Sequence, residues 1–308
     1  MRCLVTGASG FLGSHLVSAL LERNHIVTVL LRPDSDPVRL RDNMHQVRVL
    51  YGSLEYLNRL DEGLTQEPVD AVFHLAWSGV TGDFRNHTAP AMRNVIGSLQ
   101  LWELLRQHNC KTFIGVGSQA EYGPYAQVLT ENLSANPETV YGASKLALCQ
   151  ILKQFCVSVE MRFVWLRLLS LFGPADDERH MVPSLIGALL HGDKPALTAC
   201  EQVWDYLYVS DAAAALCAVL ESNASGIYNL GSGCPCILRD FVSMLRDNID
   251  NSLPLGFGEV PYRNDQVMHL VADISRLTAA TGWMPKISTQ EGILRTIEWH
   301  RRRGDYLD

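Results

Sequence analysis

CLVTGASGFLGSHLVSALLERN, residues 3–24, decides the fold. CLVTG is mostly apolar and partly β-branched and reads as a buried strand, GASGFLG is a glycine turn, and SHLVSALLERN has the spacing of an amphipathic helix. Glycines at 7, 10 and 13 let the chain turn tightly, let a pyrophosphate approach the main chain, and let helix and sheet pack closely. The unpaired N–H groups at the start of the helix then face the phosphates.

Further strands lie outward from this unit. IVTVLLRP (26–33), VRVLYGSL (47–54), VDAVFHLAW (69–77), KTFIGVGS (111–118) and MRFVWLRLLSLFG (161–173) carry the near-continuous apolar runs of buried parallel strands. Helices alternate with them, one from about 91 to 108 and another from YGASK (141–145) to about Phe155. The expected fold is α/β, a Rossmann-type doubly wound parallel sheet over residues 1–173. At FGP (172–174) the chain becomes richer in proline, acidic residues and loops. Residues 174–308 are expected to form a smaller, interleaved C-terminal α/β lobe that binds substrate, with part of the segment returning to the first sheet.

Composition limits the functions available. The chain has 308 residues, 47% hydrophobic and 19% charged, with a formal charge of −7, which gives no general attraction to nucleic acid. It has no apolar run of membrane-spanning length and no basic-then-apolar leader, so a cytoplasmic location without membrane contact is expected. Of the eight cysteines, Cys3, Cys110, Cys149, Cys156 and Cys217 sit in apolar runs as small hydrophobes, so no disulfide framework is expected. Cys234 and Cys236 lack the second ligand pair of a structural zinc site, and no metal is expected.

Two features carry chemistry. The second strand ends in Leu30, Leu31 and Arg32, where an NAD-selective site usually places a carboxylate on the adenosine ribose. A guanidinium there suits a 2′-phosphate and favours NADP(H); Asp34 and Asp36 follow closely and keep NAD(H) open. In YGASK, Tyr141 and Lys145 share one helical face, and an ammonium beside a phenol in a partly dry cleft eases the passage of its proton. Ser118 ends the fifth strand, at the sheet edge where open α/β folds bind ligands.

Taken in order, TGASGFLG (6–13), HLAW (74–77), NVIGS (94–98), the Ser118 strand end, YGASK, RLLSLFGP (167–174), YVSDAAAA (208–215), YNLGSG (228–233) and GWMP (282–285) resemble an extended short-chain dehydrogenase/reductase of the nucleotide-sugar epimerase/dehydratase/4-ketoreductase group. The resemblance implies that Ser118 hydrogen-bonds the reacting sugar oxygen, Tyr141 exchanges its proton, and Lys145 holds the nicotinamide ribose while lowering the tyrosine pKa. It places Gly7, Gly10, Phe11, Leu12 and Gly13 along the cofactor pyrophosphate and Ser53 and Leu54 near adenine. Leu75, Ala76 and Leu168 fall beside the ribose-nicotinamide half, and Asn94 supports the site. Ser53 replaces an acidic residue often found there. The group often dimerises through the helices of Asn94 and Tyr141, so a homodimer is expected.

Departures from the group's pattern choose among its reactions. Related 4,6-dehydratases carry acidic residues where Gln119 and Ala120 stand, and Glu121 comes one place too late, which disfavours dehydration. His180 in ERHMVPSLI resembles the acid of epimerase/reductases, but Ala120 stands where their cysteine would be. Trp204 replaces an arginine that commonly meets the nucleotide, and Arg263, in GEVPYRNDQVMHLVAD (258–273), is the expected diphosphate partner. Ser78, Ser118, Ser170, His180, Trp204 and Arg263 make up the expected substrate set. The expected reaction is NADPH-dependent reduction of the C4 carbonyl of a nucleotide-linked 4-keto-6-deoxy sugar. An NAD-dependent C4 epimerase is the alternative, and a non-catalytic NADP-sensing regulator is the remote one.

Overall fold

The computed structural model describes residues 1–80, 85–263 and 266–303. Strands β1 (Arg2–Thr6), β2 (Ile26–Leu31), β3 (Arg48–Tyr51), β4 (Ala71–His74), β5 (Thr112–Ser118), β6 (Arg162–Leu168) and β10 (Gly226–Leu230) form one sheet in the order β10-β6-β5-β4-β1-β2-β3. All its neighbours run parallel. The strand order reverses between β1 and β4, which opens a crevice at their C-terminal ends. Gly7 follows β1 and lies at this point with φ +72°, and a Cβ there would come within 2.8 Å of the Ala76 nitrogen beyond β4. The backbone can close the turn only as glycine.

Helix α1 (Phe11–Glu22) follows the glycine turn and packs beside α6 (Val209–Glu221) on one face of the sheet. On the other face α3 (Thr88–Gln107) packs against α4 (Val140–Ser158). Alternation along β1 feeds both layers: Cys3 and Val5 join the α1/α6 core, and Leu4 joins the α3/α4 core. Short α2 (Asn58–Gln66) covers β3.

The expected single strand over 161–173 is two strands. β6 ends at Leu168, and β7 (Ser170–Phe172) leaves the first sheet to pair with β9 (Val203–Tyr208) in a second, four-stranded sheet. β11 (Pro235–Ile237) and β13 (His269–Leu270) complete it. Leu169 makes the switch: its N–H bonds the Leu230 carbonyl of the first sheet while its side chain packs with Tyr122 and Leu270.

A third, two-stranded sheet pairs β8 (Ala196–Leu197) with β12 (Gly256–Phe257). Helices α5 (Met181–Leu190), α7 (Leu238–Ile249) and α9 (Thr289–Arg303) share a separate core with β9 around Phe172, Tyr206 and Phe241. α8 (Ser275–Thr281) packs against β10. Six cysteines are buried, and all eight are free. No described helix is long and apolar enough to cross a membrane.

Candidate active site

Three adjoining cavities follow the crevice. One of about 340 Å³ is lined by Gly7, Gly10, Arg32, Ser53, Leu54, Leu75, Ala76, Ser78 and Asn94, and also by Ser35, Trp77 and Arg93. A second, of about 320 Å³, runs past the glycine turn to Tyr141, Lys145 and Leu168. A third, of about 500 Å³, lies under the second sheet and is lined by Ser170, His180, Trp204 and Arg263. Gly7, Gly10, Leu75 and Trp77 join the first two, while Leu171, Asp176 and His180 join the last two. The expected site residues other than Ser118 therefore line one continuous cleft, and Ser118 is buried at the end of β5.

At the glycine turn, α1 begins at Gly10 with no side-chain cap and no acidic residue in its first turn. A Cβ on Gly13 would lie 2.1 Å from the Gly7 oxygen, so only the smallest residue lets the helix seat this closely on the turn. The first-turn N–H groups beside an empty-sided backbone fit a diphosphate, and the cavities on either side fit the two halves of a dinucleotide.

The floor of the cleft is a chain of buried hydrogen bonds. His74 bridges the Thr6 and Ser98 hydroxyls at 2.8 Å each, and Ser98 donates to the Asn94 carbonyl at 2.6 Å. Burial without an acid partner drops the His74 pKa to about 3, so the ring is neutral. The Asn94 amide accepts from the Ser78 N–H at 2.9 Å and donates to the Ser78 carbonyl at 2.8 Å, clamping the loop after β4. Asn94 thus fixes the backbone of this loop.

Thr139 caps α4 by accepting from the Gly142 N–H at 3.0 Å, which sets the first turn that carries Tyr141. The Tyr141 ring meets Trp77 edge-on with centroids 6.2 Å apart. Burial raises its pKa, against the lowering effects of Ser118 and of Arg85; Glu121 adds to the rise. The net direction is upward. The Lys145 ammonium donates to the Val116 carbonyl at 2.6 Å and lies 3.9 Å from the Trp77 ring centre. Burial pulls the Lys145 pKa down to about 7.

Glu121, too late in sequence for a dehydratase acid, points away from the cleft. Its fully buried carboxylate accepts from the Ser118 N–H, the Trp165 indole and the Arg167 guanidinium, each at 2.9 Å. Ser118 accepts in turn from the Ala120 N–H at 3.1 Å, so the turn after β5 is held from both ends.

In the third cavity, His180 Nδ1 lies 2.8 Å from Asp176, which raises the imidazole pKa. Trp204 donates its indole N–H to the Val267 carbonyl at 2.9 Å and tilts against Tyr206, which fixes it as a wall of the cavity. Gln202, unmarked in the sequence reading, is buried beside it with its Oε1 lacking a partner among the described residues. Arg85 and Arg93 were also missed. Arg93 carried one signal, its place directly before Asn94. Arg85 lies in a loop without periodicity, and residues 81–84 of that loop fall outside the described residues, as do 264–265 beside Arg263.

A family model described as the NAD dependent epimerase/dehydratase family matches residues 3–231. The chain is 27% identical to a putative UDP-glucose 4-epimerase of Methanocaldococcus jannaschii, over 96% of this chain and 97% of the relative. It is 24% identical to the dTDP-4-dehydro-6-deoxyglucose reductase of Escherichia coli, over 96% of each. The solved structure of Thermus thermophilus UDP-glucose 4-epimerase complexed with NAD superposes with a TM-score of 0.88, at 27% identity and over 98% of this chain and 99% of that one.

Proposed function

Because the chain belongs to the NAD dependent epimerase/dehydratase family, and so is an NAD(P)-dependent enzyme that modifies nucleotide sugars, we propose that it reduces the C4 carbonyl of a nucleotide-linked 4-keto-6-deoxy sugar with NADPH. The observation that carries this reading is the rim of the first cavity. There Arg32 and Arg93 are joined by the hydroxyls of Ser35 and Ser53, a donor set suited to a 2′-phosphate. Gly7, Gly10, Phe11, Leu12 and Gly13 would hold the pyrophosphate, Ser53 and Leu54 the adenine, and Leu75, Ala76 and Leu168 the nicotinamide half. When bound, the reduced nicotinamide supplies a hydride.

The chain's own residues supply the proton. Ser118 holds the C4 oxygen and Tyr141 passes its phenolic proton to it. The raised pKa keeps that proton on the phenol at neutral pH, which suits a donor. Lys145 stays beside the cofactor ribose. Residues 1–173 and the return through α6 and β10 carry the cofactor, and the rest of 174–308 seats the nucleotide sugar, with Arg263 on the diphosphate, Ser170 and Trp204 as walls, and Ser78 and His180 near the ring. Dehydration is disfavoured because both oxygens of Glu121, the acid nearest Ser118 in sequence, are engaged by the Ser118 N–H, Trp165 and Arg167. α3 and α4 form the face of a homodimer.

A second reading, an NAD-dependent C4 epimerase, is favoured by the carboxylates on the same rim. Asp34 lies 3.8 Å from Arg32 and Glu55 lies 3.3 Å from Arg93, and either could receive ribose hydroxyls. Following NADPH and NADH absorbance against a panel of nucleotide-linked 4-keto-6-deoxy sugars separates the two. NADPH-specific oxidation, lost by about 10³-fold or more in Tyr141→Phe, is expected. Tightly bound NAD, with two sugars interconverted and no net cofactor use, would replace the reductase with the epimerase.

A further inference from the structure

Tyr141 needs positive charge within reach of its phenol once the proton has left. The charged groups around the ring come from four elements. Glu121, after β5, is bound to Arg167 and Trp165. Lys145, one turn along α4, is held at the Val116 carbonyl. Asp176 and His180, across the second cavity, pair with each other. Arg85, in the turn that enters α3, has its guanidinium carbon 5.3 Å from the centre of the Tyr141 ring.

Two details fix Arg85 in that place. The next residue, Asn86, accepts from the Val140 N–H at 3.3 Å, which ties the turn to the first residue of α4. The Arg85 Nε is buried with no acceptor among the described residues, and Arg85 forms no ion pair among them. A guanidinium N–H set this way against an aromatic face, with no carboxylate to neutralise it, lends its charge to the ring.

We propose that Arg85 is the charged partner of Tyr141, a positioning residue that acts on proton transfer through the phenol by stabilising the phenolate left when the proton passes to the sugar. It rests on the reading of Tyr141 as the proton donor. The opposing pulls on the phenol agree with it, burial raising its pKa and Arg85 lowering it. Removing the charge makes the phenolate costlier.

The test compares wild type, Arg85→Gln, Arg85→Met and Arg85→Lys. The tyrosinate absorbance of each is titrated against the same protein carrying Tyr141→Phe, which isolates one of the ten tyrosines without any substrate. The two neutral variants are expected to raise the Tyr141 midpoint by about one pH unit, a tenfold loss of phenolate at a given pH, and the lysine variant to recover most of it. The alkaline limb of the pH–rate profile should move by the same amount. Neutral variants whose titration superposes on wild type overturn the proposal. The reading beneath it fails separately, if Tyr141→Phe retains turnover.

Discussion

Lys145 puts a cation where water is scarce. Among the described residues its ammonium has one hydrogen-bond acceptor, the Val116 carbonyl, and the face of Trp77, and burial lowers its pKa from 10.5 to about 7. Folding without cofactor therefore works against this charge. Between pH 7 and 10.5 the unfolded chain binds the extra proton, so stability rises with pH across that window, and below it the penalty is fully present. Lys145→Met is expected to raise the thermal midpoint of the cofactor-free protein by about 2–6 °C at pH 6 while abolishing turnover. The gain should shrink as the pH is taken through 7 toward 9. A melting curve that is lowered, or a gain that does not change with pH, would show that the ammonium is not desolvated as the structure has it.

At the scale of elements, β5, its following turn and β6 act as one unit behind Ser118. Gly117 makes this possible: a Cβ there would lie 2.2 Å from the Trp165 indole nitrogen and 2.3 Å from a Glu121 oxygen. Arg167 sits over the Tyr122 ring at 4.3 Å and completes a buried ion pair with Glu121. Breaking that pair leaves a carboxylate without its counter-charge, so Arg167→Leu is expected to cost about 3–5 kcal/mol in chemical denaturation. A loss under about 1 kcal/mol would mean that Glu121 is not held as an ion. The strands themselves were legible, because parallel strands buried on both faces leave unbroken apolar runs. The break at Leu169 was not, because RLLSLFG stays apolar as it passes from one sheet to the other and only partners distant in sequence tell them apart. The structural role of Glu121 was not legible for a related reason: its spacing from Ser118 spoke against one role, but its partners Trp165 and Arg167 come from β6.

Across the whole molecule, the parts of the site carried by local geometry were readable: the glycine turn, the strand end at Ser118 and the helical pair Tyr141 and Lys145. Arg85, Arg93 and Gln202 owe their place in the cleft to packing between elements, which leaves no period in the sequence. The same packing leaves one apolar stripe outside. On α3, Met92 and Ile96 are 62% and 51% exposed one turn apart, and on the neighbouring α4 Phe155 is 39% exposed where it packs on Trp102. The two helices also carry Asn94, Tyr141 and Lys145, so a partner seated on this face would stiffen the catalytic side of the cleft. Light scattering is expected to give the mass of two chains for wild type and of one for Met92→Glu with Ile96→Glu, because each carboxylate would be stranded in an apolar contact. Turnover should fall severalfold in the variant as α3 and α4 lose their backing, with the fold intact by circular dichroism. Wild-type protein that is monomeric at micromolar concentration would refute the dimer, and a double variant that remains dimeric would place the interface elsewhere.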